Sequence, residues 1–410
     1  MRPKLATPAA PGPVLDSPVA LALPASNPIL GLVPTGSGVQ TMKDLHAQLK
    51  AQHLKSWLAL LNTAGDASFL VCPTAHSELA AEHRVKAVSS HYALSTISMY
   101  LRTWDLWFDF ARYHNCSAYD PPASVVADHL HVHSSKQGLA SSHLRALTWV
   151  SRCAGFPELL AVLQTQMVRS YGVASGPQPR REAPPLPLSF VIWLEQFILS
   201  QTGSVSDRLA MGGFLLMLWG SLRWSDVQWV SPCELIFDDE CVRGSARRTK
   251  ATRRGMPFGI IQSGFLGHTT SVSWTARWMN ILREAIHRTS LKYNGFVPDF
   301  IIFAVGGGPD QPVLLAPLTR AQGILLLWKF LLTSSPSMDV SHIGVHSCKV
   351  TFLSWSRQLG IDEELRRHQG HYRSNVGVIN ALTFIAEMMF FLPLRCRRLF
   401  YRKWLQVFDH

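Results

Sequence analysis

The chain has 410 residues, of which 39 are Lys or Arg and 27 are Asp or Glu, a formal net charge of +12. With 47% hydrophobic and 16% charged residues it is neither a disordered polyelectrolyte nor a coiled coil, and its length suits about two domains with a core in each. The positive surplus points to a polyanionic partner, nucleic acid before an acidic membrane, while seven scattered cysteines without a C-x-x-C pair argue against a disulfide framework or a zinc ribbon and fit a reducing, intracellular compartment.

Residues 1–40 read as a disordered arm. They are rich in Pro, Ala and Gly, contain Asp16 and lack the continuous apolar run of a signal peptide, so they cannot bury enough surface to offset their ordering entropy. Residues 41–172 read as a small bundle of four helices. Leu45, Leu49, Trp57, Leu58 and Leu61 mark the first, ended near Ala64-Gly65. Ile97, Tyr100, Leu101, Trp104, Trp107, Phe108 and Ala111 recur at the i, i+3, i+4, i+7 spacing of one helix face and mark the second. A third begins after Asp120-Pro121-Pro122, where proline suits a first turn, and a fourth uses Leu139, His143, Ala146, Leu147 and Val150. His129, His131 and His133 lie in or beside the third helix. Without an H-E-x-x-H pattern or a nearby cysteine pair to complete a ligand set, they read as surface histidines, and no metal is expected.

Residues 173–187 form a proline-rich linker with Arg180-Arg181 in its middle, since proline at this density resists helix and makes an extended spacer. Such a basic spacer suits a protein that wraps a duplex like a clamp, and equally a plain hinge. In residues 188–375 helices are predicted at 188–200, 207–220, 272–288 and 318–333. Strands are predicted at 235–237 and 241–243 around an Asp238-Asp239 turn, near 256–261, and at 300–305. The fold class is mainly α with a small β-sheet (α+β). Residues 376–410 make an atypical tail: Val376–Leu394 carries one charge, Glu387, and is followed by the basic stretch Arg395–Lys403. A buried or partner-docking helix is the preferred reading. The alternative is a membrane anchor over 376–394, at a cost of roughly 2.5–3.5 kcal/mol for the mid-span carboxylate.

No nucleotide fingerprint, G-x-S-x-G elbow or D-x-D cluster occurs, and Gly306-Gly307-Gly308 lacks the lysine and following helix of a P-loop, so no cofactor or small-molecule substrate is expected. What remains is a spaced set of cationic and imidazole groups of the kind that phosphoryl transfer without a metal would use to neutralise a phosphorane. Gly220-Ser221-Leu222-Arg223-Trp224-Ser225-Asp226 ends an apolar helix and puts Arg223 near its C-terminus, where capping the helix dipole is the simpler role. Between 241 and 260 stand Arg243, Arg247, Arg248, Lys250, Arg253 and Arg254 with no acidic residue. Six like charges repel unless a polyanion lies nearby, which makes the arginines DNA-binding candidates. His346-Ser347-Cys348-Lys349 opens a helix, and Leu365-Arg366-Arg367-His368-Gln369-Gly370-His371 follows.

In this order and spacing the four pieces resemble the tyrosine recombinase (phage-integrase-like) family, most nearly its eukaryotic retroelement-type branch, over roughly residues 90–371. The resemblance implies a helical core-binding domain over 41–172 and a catalytic domain over 188–375 that clamp double-stranded DNA. The implied activity is recombination or integration, by a mobile-element protein that assembles as a homo-oligomer on DNA in the nucleus. Arg223 matches the family's first catalytic arginine, Lys250 its hairpin lysine, His346 and Lys349 its H-x-x-R box, and His371 its second histidine. By the same resemblance a tyrosine attacks the scissile phosphate, Arg223 and Lys349 steady the non-bridging oxygens, and Lys250 protonates the departing 5′-oxygen. His346 assists proton transfer and His371 hydrogen-bonds the phosphate.

Two positions depart from the family pattern. Lys349 stands where the family has arginine, which keeps the charge and loses the planar two-pronged contact. Asn380 stands where the family has its nucleophilic tyrosine, about nine residues after the second histidine. Only Tyr372 and Tyr401 follow His371, and the nucleophile is left unassigned. A shifted frame or misjoined exon after about residue 375 would account for the lost tyrosine. The alternatives are a catalytically inactive DNA-binding relic of such a recombinase, and a protein anchored in a membrane by 376–394.

Overall fold

The computed structural model describes residues 39–68, 78–134, 138–172, 183–200, 203–237, 241–247, 255–262, 264–266, 273–358, 360 and 363–369. The first block holds α1 (Met42–Ala64), α2 (Glu78–Ser89), α3 (Leu94–Tyr113), α4 (Ala123–Val132), α5 (Leu139–Ala154), α6 (Pro157–Leu163) and α7 (Gln166–Gly172). Thr41 caps α1 and exchanges hydrogen bonds with Asp44, which satisfies two backbone donors at the helix start. The α3 face legible from its spacing is the buried one, from Ile97 through Trp107 to Ala111, with Phe108 half-buried. Around it Trp57, Leu61, Leu130, Leu147, Val150, Phe156 and Leu159 close one core.

Four helices were expected here and the described residues hold seven. Among its described side chains α2 buries Val85, and α6 and α7 have only seven residues each, too few for a long apolar stripe. α1 is also a strut between the two blocks. Its first turn is held by the second block, through the Gln40 N–H to the Leu315 carbonyl (2.8 Å) and the Met42 N–H to Asp299 Oδ1 (2.7 Å), while Trp57, Leu60 and Leu61 sit in the first core.

The second block contains α8 (Leu188–Leu199), α9 (Val205–Trp219), α10 (Trp224–Val227), β1 (Ile236–Phe237), β2 (Cys241–Ala246), β3 (Met256–Ile261) and α11 (Trp274–Lys292). It continues with β4 (Phe303–Gly308), β5 (Gln311–Pro317), α12 (Arg320–Ser334), α13 (Val345–Gln358) and α14 (Glu363–Gln369). β1, β2 and β3 form an antiparallel sheet with Val242 opposite Ile260, and β4 and β5 a bulged hairpin. The class is therefore α+β, mainly helical with small antiparallel sheets.

α9 is the central helix, buried on every side from Arg208 to Trp219. It approaches α11 closely enough that a Cβ on Gly212 would lie 2.1 Å from the Trp278 ring, whose Nε1–H donates to the Leu209 carbonyl (3.1 Å). The apolar run at 300–305 was expected as strand. Only Phe303 onward pairs, while Phe300, Ile301 and Ile302 are buried in irregular backbone. Its partner β5 has proline at both ends, which a two-stranded hairpin tolerates because each strand keeps an unpaired edge.

The last residues of the expected linker belong to the second core. Leu186 is 2% exposed and donates its N–H to Thr351 Oγ1 (2.8 Å), and Pro187 precedes α8 directly; 173–182 lie outside the described residues. No helix among the described residues is long and apolar enough to cross a membrane, and 376–394 lies outside them. His129, expected on the surface, is buried, because α4 turns that face towards α3 and α5; His131 is the exposed member of the group.

Candidate functional site

The turn that delivers Arg223 is built without glycine at its reversal. After α9, Ser221 donates to the Leu218 carbonyl (3.1 Å) and Leu222 to the Met217 carbonyl (2.9 Å), the paired bonds of a helix C-terminus that ends left-handed. Ser221 takes φ +48, a conformation that costs a non-glycine residue on the order of 1 kcal/mol, and its burial together with that of Leu222 locks it there. Arg223 then lies extended at the cap of α10. It is therefore the N-cap of the next short helix, not a dipole cap on α9.

Asp226, fully buried, holds it from within α10. Its Oδ2 accepts the Arg223 backbone N–H (3.3 Å) and lies 3.5 Å from the guanidinium, while Oδ1 accepts from Ser225 Oγ (3.3 Å). α10 is seated against α12 through Trp224, whose ring fills the space over Gly323; a Cβ there would lie 2.2 Å from it.

His346 and Lys349 come from α13, which packs on α9, and three residues apart they share a helix face. Lys349 is fully buried. Burial foremost, then the neighbouring Arg223, push its ammonium down to about 7, with the Asp226 carboxylate acting the other way. The His346 imidazole, at the outer side of the group, is held below its usual value by partial desolvation and by Lys349, Arg223 and Arg320. The structure thus brings Arg223, Lys349 and His346 together, with Asp226 beside Arg223 and Lys349 and Arg320 near His346. Asp226 stands in the G-S-L-R-W-S-D stretch, three residues after the arginine, and was given no role in the sequence reading. Arg320 had no signal at all: it is a lone arginine after a capping threonine.

A group with this excess of positive charge favours a compact anion with several oxygens. An arriving anion would restore the charge that burial has taken from Lys349. An amine balanced near neutrality can also donate a proton at physiological pH.

The basic stretch divides differently from its expected form. Arg243 is exposed on β2, its Nε 3.4 Å from Cys241 Sγ. Arg247 is met within the protein: its Nε donates to Glu234 Oε2 (2.9 Å), its second nitrogen contacts Oε1, and the pair depresses the Glu234 carboxyl. The expectation of six uncompensated charges fails at Arg247 because its partner lies upstream of the segment counted. Arg248, Lys250, Arg253 and Arg254 lie outside the described residues, as do His371, Tyr372, Asn380 and Tyr401.

Beyond β3 the chain is fastened by Glu195 of α8, whose Oε2 accepts the N–H groups of Phe265 (2.9 Å) and Leu266 (3.1 Å), and Oε1 the Trp219 indole (3.3 Å). Burial nevertheless raises this carboxyl to about 7. Phe265 in turn packs on Trp219 and on Trp355 of α13, which ties the segment after β3 to the helix that carries Lys349.

No family model and no curated protein matches the chain. Among solved structures it is similar to the XerH site-specific recombinase bound to its difH substrate, with TM-score 0.42 and 12% identity over 85% of this chain and 94% of that one. It is also similar to a lambda integrase tetramer bound to a Holliday junction, with TM-score 0.43 and 15% identity over 83% and 84%. A third is the Tn1549 transposon integrase in complex with transposon right-end DNA, with TM-score 0.41 and 12% identity over 74% and 93%.

Proposed function

We propose that the chain binds double-stranded DNA and that Arg223, Lys349 and His346 hold a phosphodiester for strand cleavage and rejoining, the chemistry of DNA recombination or integration by a tyrosine recombinase. The observation that carries this reading is the convergence of Arg223 with His346 and Lys349. Two motifs far apart in the chain meet as one cationic group, in the combination that the resemblance assigns to a scissile phosphate. In this reading 41–172 is the core-binding domain and 188–375 the catalytic one. Assembly of several copies on DNA, a nuclear location and descent from a retroelement-type mobile element belong to the same proposal.

The reaction balances without a cofactor. A tyrosine hydroxyl attacks phosphorus, forming a phosphotyrosyl bond while the bond to the 5′-oxygen breaks. That oxygen leaves with a proton from Lys250, and a 5′-hydroxyl of a partner strand reverses the step. Arg223 and Lys349 offset the charge gathering on the non-bridging oxygens, and His346 handles the proton at the nucleophile. The nucleophile stays unassigned: only Tyr372 and Tyr401 follow His371, and Tyr372 directly adjoins that histidine.

A second reading, binding without cleavage, is favoured by Asn380, since an amide forms no phosphoester. Incubating the full chain with a pool of nicked duplex fragments separates the two. A protein–DNA adduct that survives denaturant, disappears with protease and maps to a tyrosine supports cleavage. Binding that weakens steeply with salt and leaves no adduct supports the second reading. A chain that binds no duplex at low salt overturns both.

A further inference from the structure

Away from that site, in the first block, two helices bring three imidazoles to one point. His129 lies in the last turn of α4, His133 caps that helix one turn further on, and His143 lies in the early part of α5. Ring centroids are separated by 4.9 Å for 129 and 133, 5.3 Å for 129 and 143, and 4.1 Å for 133 and 143. One ligand nitrogen from each residue lies within 4.8 Å of those of the other two. His129 Nε2 is 3.2 Å from His143 Nδ1, close to the ~3.3 Å edge of a tetrahedron whose metal–nitrogen bonds are about 2.0–2.1 Å.

The surroundings are those of a site and not of a surface cluster. His129 is 1% exposed and His143 4%, and His133, half-buried, opens the group to solvent on one side. Trp107 and Phe110 of α3 stand edge-on to His129, at 5.3 and 5.0 Å, and make an apolar wall behind it. His129 turns Nε2 into the group, and its other ring nitrogen, Nδ1, is buried on the far side and is not a ligand to the same ion, so the site rests on the three converging nitrogens.

We propose that His129, His133 and His143 bind a single borderline transition-metal ion, zinc foremost, as a three-nitrogen site whose fourth position faces solvent beside His133. Imidazole nitrogen is a ligand that suits zinc, copper and nickel, and the absence of a carboxylate or thiolate from the set disfavours magnesium, calcium and iron–sulfur clusters. Burial keeps His129 and His143 in the neutral form that offers a lone pair. The ion would fasten α4 to α5 across the intervening turn. The inference does not depend on the DNA reading.

The test is a titration of the full chain, first stripped of metal, with cobalt(II) and then with zinc. One equivalent of cobalt should give the visible bands of a four-coordinate ion, and zinc should bleach them. His133→Asn, on the solvent side and compatible with the fold, removes a direct ligand and should weaken cobalt binding by more than the ~10–100-fold typical of losing an outer-shell partner, whereas His131→Asn on the exposed face of α4 should leave it unchanged. Circular dichroism establishes that each variant is folded. Absence of four-coordinate bands in the unsubstituted chain, or equal affinity in His133→Asn, overturns the proposal.

Discussion

Replacing Lys349 with methionine should stabilise the free protein near and below neutrality while removing the charge that the proposed function sets against a DNA phosphate. The side chain is fully buried and its ammonium is pushed from 10.5 down to about 7, a depression equivalent to about 5 kcal/mol of unfavourable charge burial when the amine is protonated. Methionine keeps the length and apolar stem and removes the charge, and exchanges of this kind at buried ionic sites stabilise by ~1–4 kcal/mol. The sign with pH follows from proton counts. Between about 7 and 10.5 the unfolded chain holds the proton and the folded chain does not, so wild-type stability gains ~1.4 kcal/mol per pH unit from this residue and Lys349→Met gains nothing from it. Urea unfolding of both proteins, followed by tryptophan fluorescence at half-unit steps from pH 6 to about 9.5, would read that difference. The advantage of the methionine variant should shrink by about 2–3 kcal/mol between pH 7.5 and 9.5. Parallel stability curves would refute the placement of Lys349 as a buried, depressed amine.

The same residue predicts proton uptake on binding. A phosphate favours the ammonium and raises its pKa, so duplex affinity at constant salt should be highest below pH 7 and fall by up to about tenfold per unit above it; anisotropy titrations check this, and Lys349→Arg should flatten the dependence. Gly323→Ala places a Cβ in the Trp224 ring, so a loss of ~1–3 kcal/mol in chemical denaturation is expected, together with weaker DNA binding as α10 and Arg223 shift. Arg247→Ala should change stability by no more than about 1 kcal/mol and leave the salt slope of binding unaltered, because Glu234 already meets that charge. Arg243→Ala, on an exposed strand position, should reduce the slope by about 1 if the β2 face lies on the phosphate backbone.

Long stripes with strong periodicity were legible from sequence. The α3 face from Ile97 to Ala111, the start of α4 after Pro122 and the strand Met256–Ile261 appear where spacing and proline placed them. Elements whose burial is borrowed from neighbours were not. α2 mixes small apolar residues with charged ones over twelve positions, α6 and α7 are too short to show a period, and β5 carries prolines that argue against strand unless its partner and open edges are known. At the site, Arg223, His346 and Lys349 could be picked out by resemblance, but Asp226 and Arg320 acquire meaning only when α10 and α12 are packed together. Counting charge along a window misled at Arg247, since compensation came from Glu234 on the preceding segment. Solvent exposure misled at His129, since the α4 periodicity alone does not say which face meets α5.

Whether Arg223 meets a DNA phosphodiester, as proposed, is decided by a thermodynamic cycle. On a duplex selected for binding, each phosphate is replaced singly by a neutral methylphosphonate, and affinity is measured for the wild-type chain and for Arg223→Ala. One position is expected at which wild type loses about tenfold while Arg223→Ala loses nothing further, a coupling of ~1.4 kcal/mol between that arginine and that phosphate. Equal losses in the two proteins at every position would contradict it.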